Sequence, residues 1–283
     1  METKISSATK EVVISYELPT RLIGERINPT GKKKLAAALR SGDLDMVRRE
    51  ALAQVEAGAD ILDVNVGTPG VDEVTLLAEA VQLVMETVDV PLCIDSSNPS
   101  AIQSALSVYK GKPLINSVTG EESSLKEVLP LVKESGAAVI GLAMGDAGIP
   151  GSAEERVAVA HKIVDRATAI GIPIEDIVID CLALTLGADT QAGRITVETV
   201  RRIKDELGVN ITLGASNVSF GLPDRGLLTS AFLGVVVFSG VTCPIVDVAK
   251  VRPAVLATDL VMGRDDYSMR YIQAFRQRQK RSA

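Results

Sequence analysis

The sequence predicts a single (β/α)8 barrel, an α/β fold of the TIM-barrel type, over residues 1–283 as one domain. Three observations point there. Eight short apolar runs recur along the chain, most of them nearly continuous Val, Ile and Leu, the pattern of parallel strands covered on both faces. Polar segments and stretches of helical periodicity alternate with these runs. No Pro/Ser-rich linker, shift of composition, internal repeat or low-complexity segment divides the chain.

In chain order, residues 1–20 are an N-terminal extension, with a small extra strand or cap expected at Glu11–Leu18. The barrel strands are expected at Leu22–Gly24, Ile61–Val66, Pro91–Ile94, Pro113–Ile115, Ala138–Leu142, Ile177–Ile179, Ile211–Leu213 and Thr242–Val246. Amphipathic helices are expected at Leu44–Ala57, Glu73–Val88, Ser123–Ser135, Ala153–Ile170 and Thr196–Leu207. In Ala153–Ile170, for example, Val157, Ala160, Val164 and Ala167 fall on one stripe. Gly58, Gly136, Gly171 and Gly208 directly follow helical stretches, where a left-handed residue ends a helix. Asp95–Ser96–Ser97–Asn98–Pro99 reads as a helix start, with Ser97 or Asn98 as N-cap. Residues 266–283 are a basic C-terminal tail, read as a frayed, solvated helix. A doubly wound sheet is the alternative architecture, but the chain has neither a glycine-rich dinucleotide fingerprint nor a Walker A sequence.

Composition narrows the function. With 46% hydrophobic and 23% charged residues, the chain has the apolar mass for one large core. Thirty Lys+Arg against 36 Asp+Glu give a net charge of -6, so there is no long-range attraction to nucleic acid or anionic lipid. Aromatics are 3% and Trp is absent, which disfavours a base-stacking platform. The longest mostly apolar run, Phe232 to Phe238, is far short of the roughly 20 residues of a membrane span. The start, METKISSATK, lacks the apolar core of a signal peptide, and a cytoplasmic protein is expected. Cys93, Cys181 and Cys243 stand singly and His161 is the one histidine, too few for an iron–sulfur cluster or a structural zinc site. No bound metal is expected, and Cys93 and Cys181 read as small buried hydrophobes. His161 falls in mid-helix, where it reads as a solvated or capping residue.

Barrel enzymes build their sites just past the C-terminal ends of the strands. Here those positions hold Glu25 and Asn28, then Asp63 and Asn65, then Asp95 with Ser96 and Asn98. Asn116 and Ser117, Asp146, Asp180, Ser216 with Asn217, and Asp247 follow. Such a mouth is almost wholly carboxylates and amides. No strand ends in the lysine of a Schiff-base aldolase, and no histidine cluster offers a hydrolytic metal centre. A ring of Asp and Asn suits a neutral, flat, nitrogen-rich heterocycle. Carboxylates accept paired bonds from amidine-like N–H donors, and Asn offers donor and acceptor together. Pterins and guanines present that edge.

The strings GERINPTGKKKL, ILDVNVGTPGVDE, PLCIDSSN, PLINSV, GLAMGDAGIP, IVIDCL and LGASNVSFGLPDRG, in this order across roughly residues 21–265, resemble the motifs of the pterin-binding family. Within it they are similar to the methyltetrahydrofolate:corrinoid protein methyltransferases, relatives of the folate domain of methionine synthase and of dihydropteroate synthase. The resemblance implies a pterin held by Asp95, Asn116 and Asp180, with Asn217 as the catalytic residue near N5. Ser216 and Arg225 join the folate-binding set, Arg225 supporting the seventh loop or the substrate. Glu25, Asp63, Asn65 and Ser117 are placed there by their strand ends. Three residues after Asn217 the family often has a polar Gln; this chain has Phe220 and departs from the pattern. Tetrahydrofolate and 5-methyltetrahydrofolate are the implied substrates. The chain lacks the DxHxxG signature of cobalamin domains, so the corrinoid (cobalamin) is expected on a separate partner protein. Related barrels pair through outer helices, which makes a homodimer the expectation. Methyl transfer from folate to cobalt and from methyl-cobalt to tetrahydrofolate use the same motifs, so both directions stay open.

Two competing functions remain. Dihydropteroate synthases need basic residues for a pyrophosphate, typically a Ser-Arg-Lys run after the seventh strand and an Arg/His pair at the eighth. This chain has Ala215–Ser216–Asn217 and CPIVDVAK there. The other is a non-catalytic folate-binding or scaffold subunit.

Overall fold

The computed structural model describes residues 1–282. Strands β1 (Glu2–Ser6) and β2 (Glu11–Ser15) form an antiparallel hairpin, with Glu2 opposite Ser15 and Ser6 opposite Glu11. It closes the bottom of the barrel. Ile5, Val12 and Ile14 point into one apolar cluster with Ile23, Ile61, Leu114, Ile140, Val178 and Cys243 from the barrel interior. Arg21 Nε donates to Val13 O at 2.8 Å, and Asn210 Nδ2 donates to Ile14 O at 3.0 Å, fastening the hairpin to the barrel. Of the strand or cap expected at Glu11–Leu18, the strand is formed, over Glu11–Ser15, and it pairs with a segment that sequence periodicity did not single out.

The eight barrel strands are β3 (Ile23–Ile27), β4 (Ile61–Val64), β5 (Leu92–Asp95), β6 (Leu114–Thr119), β7 (Ala138–Leu142), β8 (Ile177–Asp180), β9 (Asn210–Thr212) and β10 (Ile245–Val246). Each falls on one of the eight apolar runs. All pair in parallel in the order β10-β3-β4-β5-β6-β7-β8-β9. Ile245 N donates to Leu213 O at 3.0 Å and closes the ring between the last two strands. A second, larger apolar cluster lies between the strands and the surrounding helices, so both strand faces are buried. That is why the strands read as continuous rather than alternating runs.

The helices are α1 (Lys33–Arg40), α2 (Asp45–Ala57), α3 (Glu73–Thr87), α4 (Pro99–Val108), α5 (Glu122–Ser135), α6 (Ala153–Ala169), α7 (Ala192–Leu207), α8 (Arg225–Ser239), α9 (Val248–Val261) and α10 (Met269–Ser282). Asn98 is the N-cap of α4: its Oδ1 accepts from Ser100 N at 3.0 Å, ahead of Pro99 at the first helical position. Gly58, Gly136 and Gly208 are left-handed C-caps, and Gly171 takes φ 88 one residue past the cap of α6. The base of α10 is tied rather than frayed. Asp265 accepts from Arg270 N and Tyr271 N, and Arg270 Nη1 donates to the buried Asp259 at 3.1 Å. No helix is long and apolar enough to cross a membrane, among the described residues.

At the start of α6, Ser152 Oγ accepts from Glu155 N, and the Glu155 carboxylate accepts from Ser152 N, a reciprocal capping box. Ser152→Ala is expected to lower unfolding stability by about 1 kcal/mol. A urea midpoint shift with unchanged slope checks this; no shift would mean water replaces the cap.

Candidate active site

The C-terminal mouth of the barrel encloses a cavity of about 640 Å³. Its wall brings together Glu25 in β3 and Asn28 just after it, Asp63 in β4, Asp95 in β5 and Asn116 in β6. Ser216, Asn217 and Arg225 follow β9, and Asp247 follows β10. A second depression of about 410 Å³ meets the first at Asp95 and Asn116, lined by Ser96, Ser117, Leu142 and Met144 among others. Asp180, in register with Leu142 at the end of β8, lines neither of these two spaces, and nor do Asn65, Asn98 and Asp146.

The floor is a cluster of acids and amides on three adjacent strands, with Asp95 in register with Asn116. Asn116 Nδ2 donates to Asp63 Oδ1 at 3.1 Å. The carboxyls of Asp63 and Asp95 hydrogen-bond each other, which two carboxyl groups can do only while one keeps its proton. Asp63 is 2% exposed; burial first, and the neighbouring Asp95 charge second, push it well above the usual carboxylate range. Burial raises Asp95 to about 6, against hydrogen bonds from Asn65 and Asp63. Asp63 is therefore the proton-bearing partner, and Asp95 is the one that ionises near neutral pH. Asn65 aims its amide nitrogen at Asp95 because its Oδ1 already accepts from Gly67 N at 2.8 Å. Ser96 donates to Glu73 at 2.6 Å, and Asn98 is the α4 cap, so both serve loop geometry.

Asp180 is held at the same level of the barrel. Its Oδ1 accepts from Leu182 N at 2.7 Å, and burial pushes it up to about 7 against that bond and the charge of Arg156. Arg156 is 1% exposed and has no carboxylate bonded to it. Its guanidinium donates to the carbonyls of Pro150, Cys181 and Leu182, clamping the loop after β7 to the loop after β8. Sequence reasoning missed Arg156. The signal was there: it lies one turn before Ala160 on the buried stripe of α6.

After β9 the chain makes a single 3-10 turn, Ala215–Ser219. Ser216 Oγ donates to Glu25 Oε1 at 2.8 Å, joining residues 191 positions apart. Burial raises Glu25 while that bond opposes the shift. Asn217 is exposed to the cavity, and its side-chain amide makes no hydrogen bond among the described residues. Gly214 leaves it room: a Cβ there would sit 3.0 Å from Asn217 Nδ2. Arg225 Nη2 donates to Ser216 O at 2.9 Å, Nε donates to Ser219 Oγ at 3.2 Å, and the guanidinium lies 5.7 Å from the Phe220 ring centre. Arg225 thus supports the seventh loop, with Phe220 as its platform.

Besides carboxylates and amides, the mouth holds cations that the reading of the strand ends did not single out. Arg26, Lys32 and Lys250 line the cavity with Arg225. Arg26 stands next to last in β3, beside Glu25, whereas Lys32 caps the start of α1 and Lys250 lies in the first turn of α9. Arg26 pairs with Glu50 at 3.0 Å, and Lys250 with Asp247 at 2.9 Å. Lys32 Nζ donates to the carbonyls of Glu25 and Arg26, and burial lowers its pKa. The GKKK run after Asn28 was the sequence signal. Among the described residues, no group of three or more His, Cys, Asp or Glu side chains is placed to hold a metal ion. Cys93, Cys181 and Cys243 are buried free thiols; His161 lies half-exposed on α6, bonded to Glu206, and Asp146 faces Lys162 outside the mouth.

The solved structures similar to this chain include dihydropteroate synthase from Yersinia pestis, with TM-score 0.70, 17% identity and coverage of 92% of this chain and 98% of that one. The Xanthomonas albilineans dihydropteroate synthase matches at TM-score 0.70 and 19% identity, with the same coverage. At these identities the likeness is one of fold. Sequence relatives are nearer. The chain is 32% identical over 266 residues, 90% of its length, to the methylcorrinoid:tetrahydrofolate methyltransferase of Eubacterium limosum, 96% of which is covered. It is 30% identical over 265 residues to methionine synthase of Mycobacterium tuberculosis, of which it spans 22%. The model of the pterin binding enzymes matches residues 24–247, from the strand carrying Glu25 to the Asp247 that follows the last strand. With that match over most of the barrel, and acids and amides at its strand ends, the chain belongs to the pterin binding enzyme family.

Proposed function

We propose that this chain is a methyltransferase that moves a methyl group between N5 of tetrahydrofolate and the cobalt of a corrinoid carried on a separate protein. The observation that carries the reading is one cavity holding the Asp63–Asp95–Asn116 floor and the unbonded amide of Asn217. The relatives named above support the chemistry, and the one that this chain almost fully covers is named for transfer from methylcorrinoid to tetrahydrofolate. We take that direction. Asp95 as a carboxylate accepts from the amidine-like N–H groups of the pterin, and Asn116, its Nδ2 committed to Asp63, presents its oxygen. Asp180 adds a further acceptor if the pterin reaches β8.

In the step itself the N5 lone pair attacks the methyl carbon in line, and the carbon–cobalt bonding pair stays on cobalt, which becomes Co(I). N5 then loses its proton to water. Asn217 accepts from N5–H as positive charge grows there, and in reverse donates to it as charge leaves. The barrel fixes the attack geometry by holding the pterin at its floor. Residues 1–283 act as one domain, with residues 1–20 beneath the barrel and 266–282 outside it. The three buried thiols fit a reducing cytoplasm.

The assay mixes the protein with tetrahydrofolate and a methylated corrinoid protein and follows the cobalt absorbance. Conversion to the Co(I) spectrum is expected. Folate binding without transfer in either direction would make the chain a binding subunit, and absence of folate binding would overturn the reading.

We further propose that the protein is a homodimer joined through α8. Leu227, Ala231, Val235 and Phe238 form one exposed stripe, Leu227 and Phe238 at 68% and 67% exposure. Residues 226–246 contain no charged side chain. In a chain of net charge -6, so long an uncharged outer helix suits a self-complementary apolar contact with a second copy. Val235→Glu with Phe238→Glu is expected to convert a sedimenting dimer to monomer. A monomeric wild type would overturn this.

A further inference from the structure

A second groove, of about 440 Å³, runs off the central cavity between the loop after β3 and the loop after β4. The two spaces share Thr30, Gly31 and Lys32. Three cations line the groove, Lys32, Lys33 and Arg40, and no carboxylate does. This sets it apart from the rest of the mouth. Arg26 and Lys250 are already neutralised by Glu50 and Asp247, and the floor carries Asp63, Asp95 and Glu25.

None of the three groove cations has a carboxylate partner among the described residues. Lys32 is bonded to main-chain carbonyls, and the Lys33 ammonium makes no hydrogen bond or ion pair among the described residues. Arg40 reaches across the far end to Pro69 O at 3.1 Å and Thr68 Oγ1 at 3.4 Å, tying α1 to the loop before α3. The walls between them are low, since Pro29, Gly31, Gly67 and Pro69 contribute little side chain. An extended anionic chain leaving the floor would be repelled by the acids there and drawn to the side where positive charge has no internal counter-ion.

The folate reading supplies such a chain. A folate carries a benzoyl-glutamate beyond its pterin, and further γ-linked glutamyl residues each add a carboxylate. We propose that this groove is the subsite for the glutamyl tail of the folate, with Lys32 at its entrance and Lys33 and Arg40 along it. The protein then selects poly-γ-glutamyl folates over the monoglutamate. This rests on the folate reading of the central cavity.

The test measures Kd by calorimetry for tetrahydrofolate monoglutamate and triglutamate, on wild type and on the Lys33→Glu/Arg40→Gln double variant. Neither substituted residue lines the central cavity. Exposed ion pairs are individually weak, so a preference of about five- to tenfold for the triglutamate is expected in wild type. It should shrink as salt is raised. In the double variant the preference should fall to near one, with monoglutamate affinity kept within about twofold. Equal affinity of wild type for the two folates, or a preference that survives in the variant, would overturn the subsite and leave the central reading standing. If neither folate binds, both fall.

Discussion

Replacing Asn217 by alanine is expected to slow methyl transfer by about 10²–10³-fold while weakening folate binding far less. The asymmetry follows from where the side chain sits. Among the described residues Asn217 is held only through its backbone, in the turn between Gly214 and Phe220, and its amide has no partner to keep it in one orientation. Such a group is free to turn oxygen or nitrogen toward N5 as charge on N5 changes. Interactions that strengthen only in the transition state raise the rate and leave ground-state affinity almost alone. The pterin contacts at Asp95 and Asn116 survive the substitution, because neither is bonded to Asn217. Single-turnover transfer at saturating folate, read at the cobalt absorbance, isolates the chemical step. A wild-type rate in the alanine variant would make Asn217 a loop residue and move the N5 contact elsewhere. Gly214→Ala is a second probe, since the new methyl would press on Asn217 Nδ2 at 3.0 Å without deleting it. A rate loss smaller than that of the alanine variant is expected.

Much of the fold was legible because the barrel strands are buried on both sides. Ile61–Val64 and Ile177–Asp180 are wholly buried and are apolar apart from one acid each, Asp63 and Asp180. A polar residue near the C-terminal end of an apolar strand run can be buried only by facing the mouth, so Asp63, Asp95 and Asn116 could be picked out by position. What stayed hidden were contacts made by closure. The Ser216–Glu25 bond joins the seventh loop to the first barrel strand, and no local pattern announces it. The cations of the mouth were hidden for a related reason: Lys32 and Lys250 lie on loops and helix starts, where a lysine usually reads as solvated surface. Asp180 shows the opposite limit. Its strand-end position marked it correctly as an inward, buried acid, yet the structure binds it to Leu182 N and sets it outside the two spaces that meet at Asp95.

Asp95→Ala should raise the Kd for tetrahydrofolate about tenfold to a hundredfold and leave the rate of transfer from bound folate nearly unchanged. The carboxylate would accept hydrogen bonds from pterin N–H groups, and its loss leaves those donors unpaired in a buried site. Protonation does the same damage reversibly, which gives the prediction a pH signature. Asp95 is pushed up to about 6 and Asp180 to about 7, both by burial. An acid that keeps its proton loses an acceptor, so wild-type affinity should fall as pH drops through these values. Asp95→Ala should remove the loss centred near 6. If Asp180 also touches the pterin, Asp180→Asn should remove a separate loss near 7 and thereby decide whether β8 takes part in binding. The unliganded protein should respond in the opposite sense. Both folded-state values lie above the unfolded one of about 3.9, so the native state holds more protons between about pH 4 and 7. The contribution of these groups to stability is fully present below about pH 4 and is lost as pH rises through 6 and 7. The stabilisation by added folate, measured as a melting shift, should therefore grow from about pH 5 to about pH 8. A folate affinity constant across that range in the wild type would mean that neither carboxylate meets the pterin.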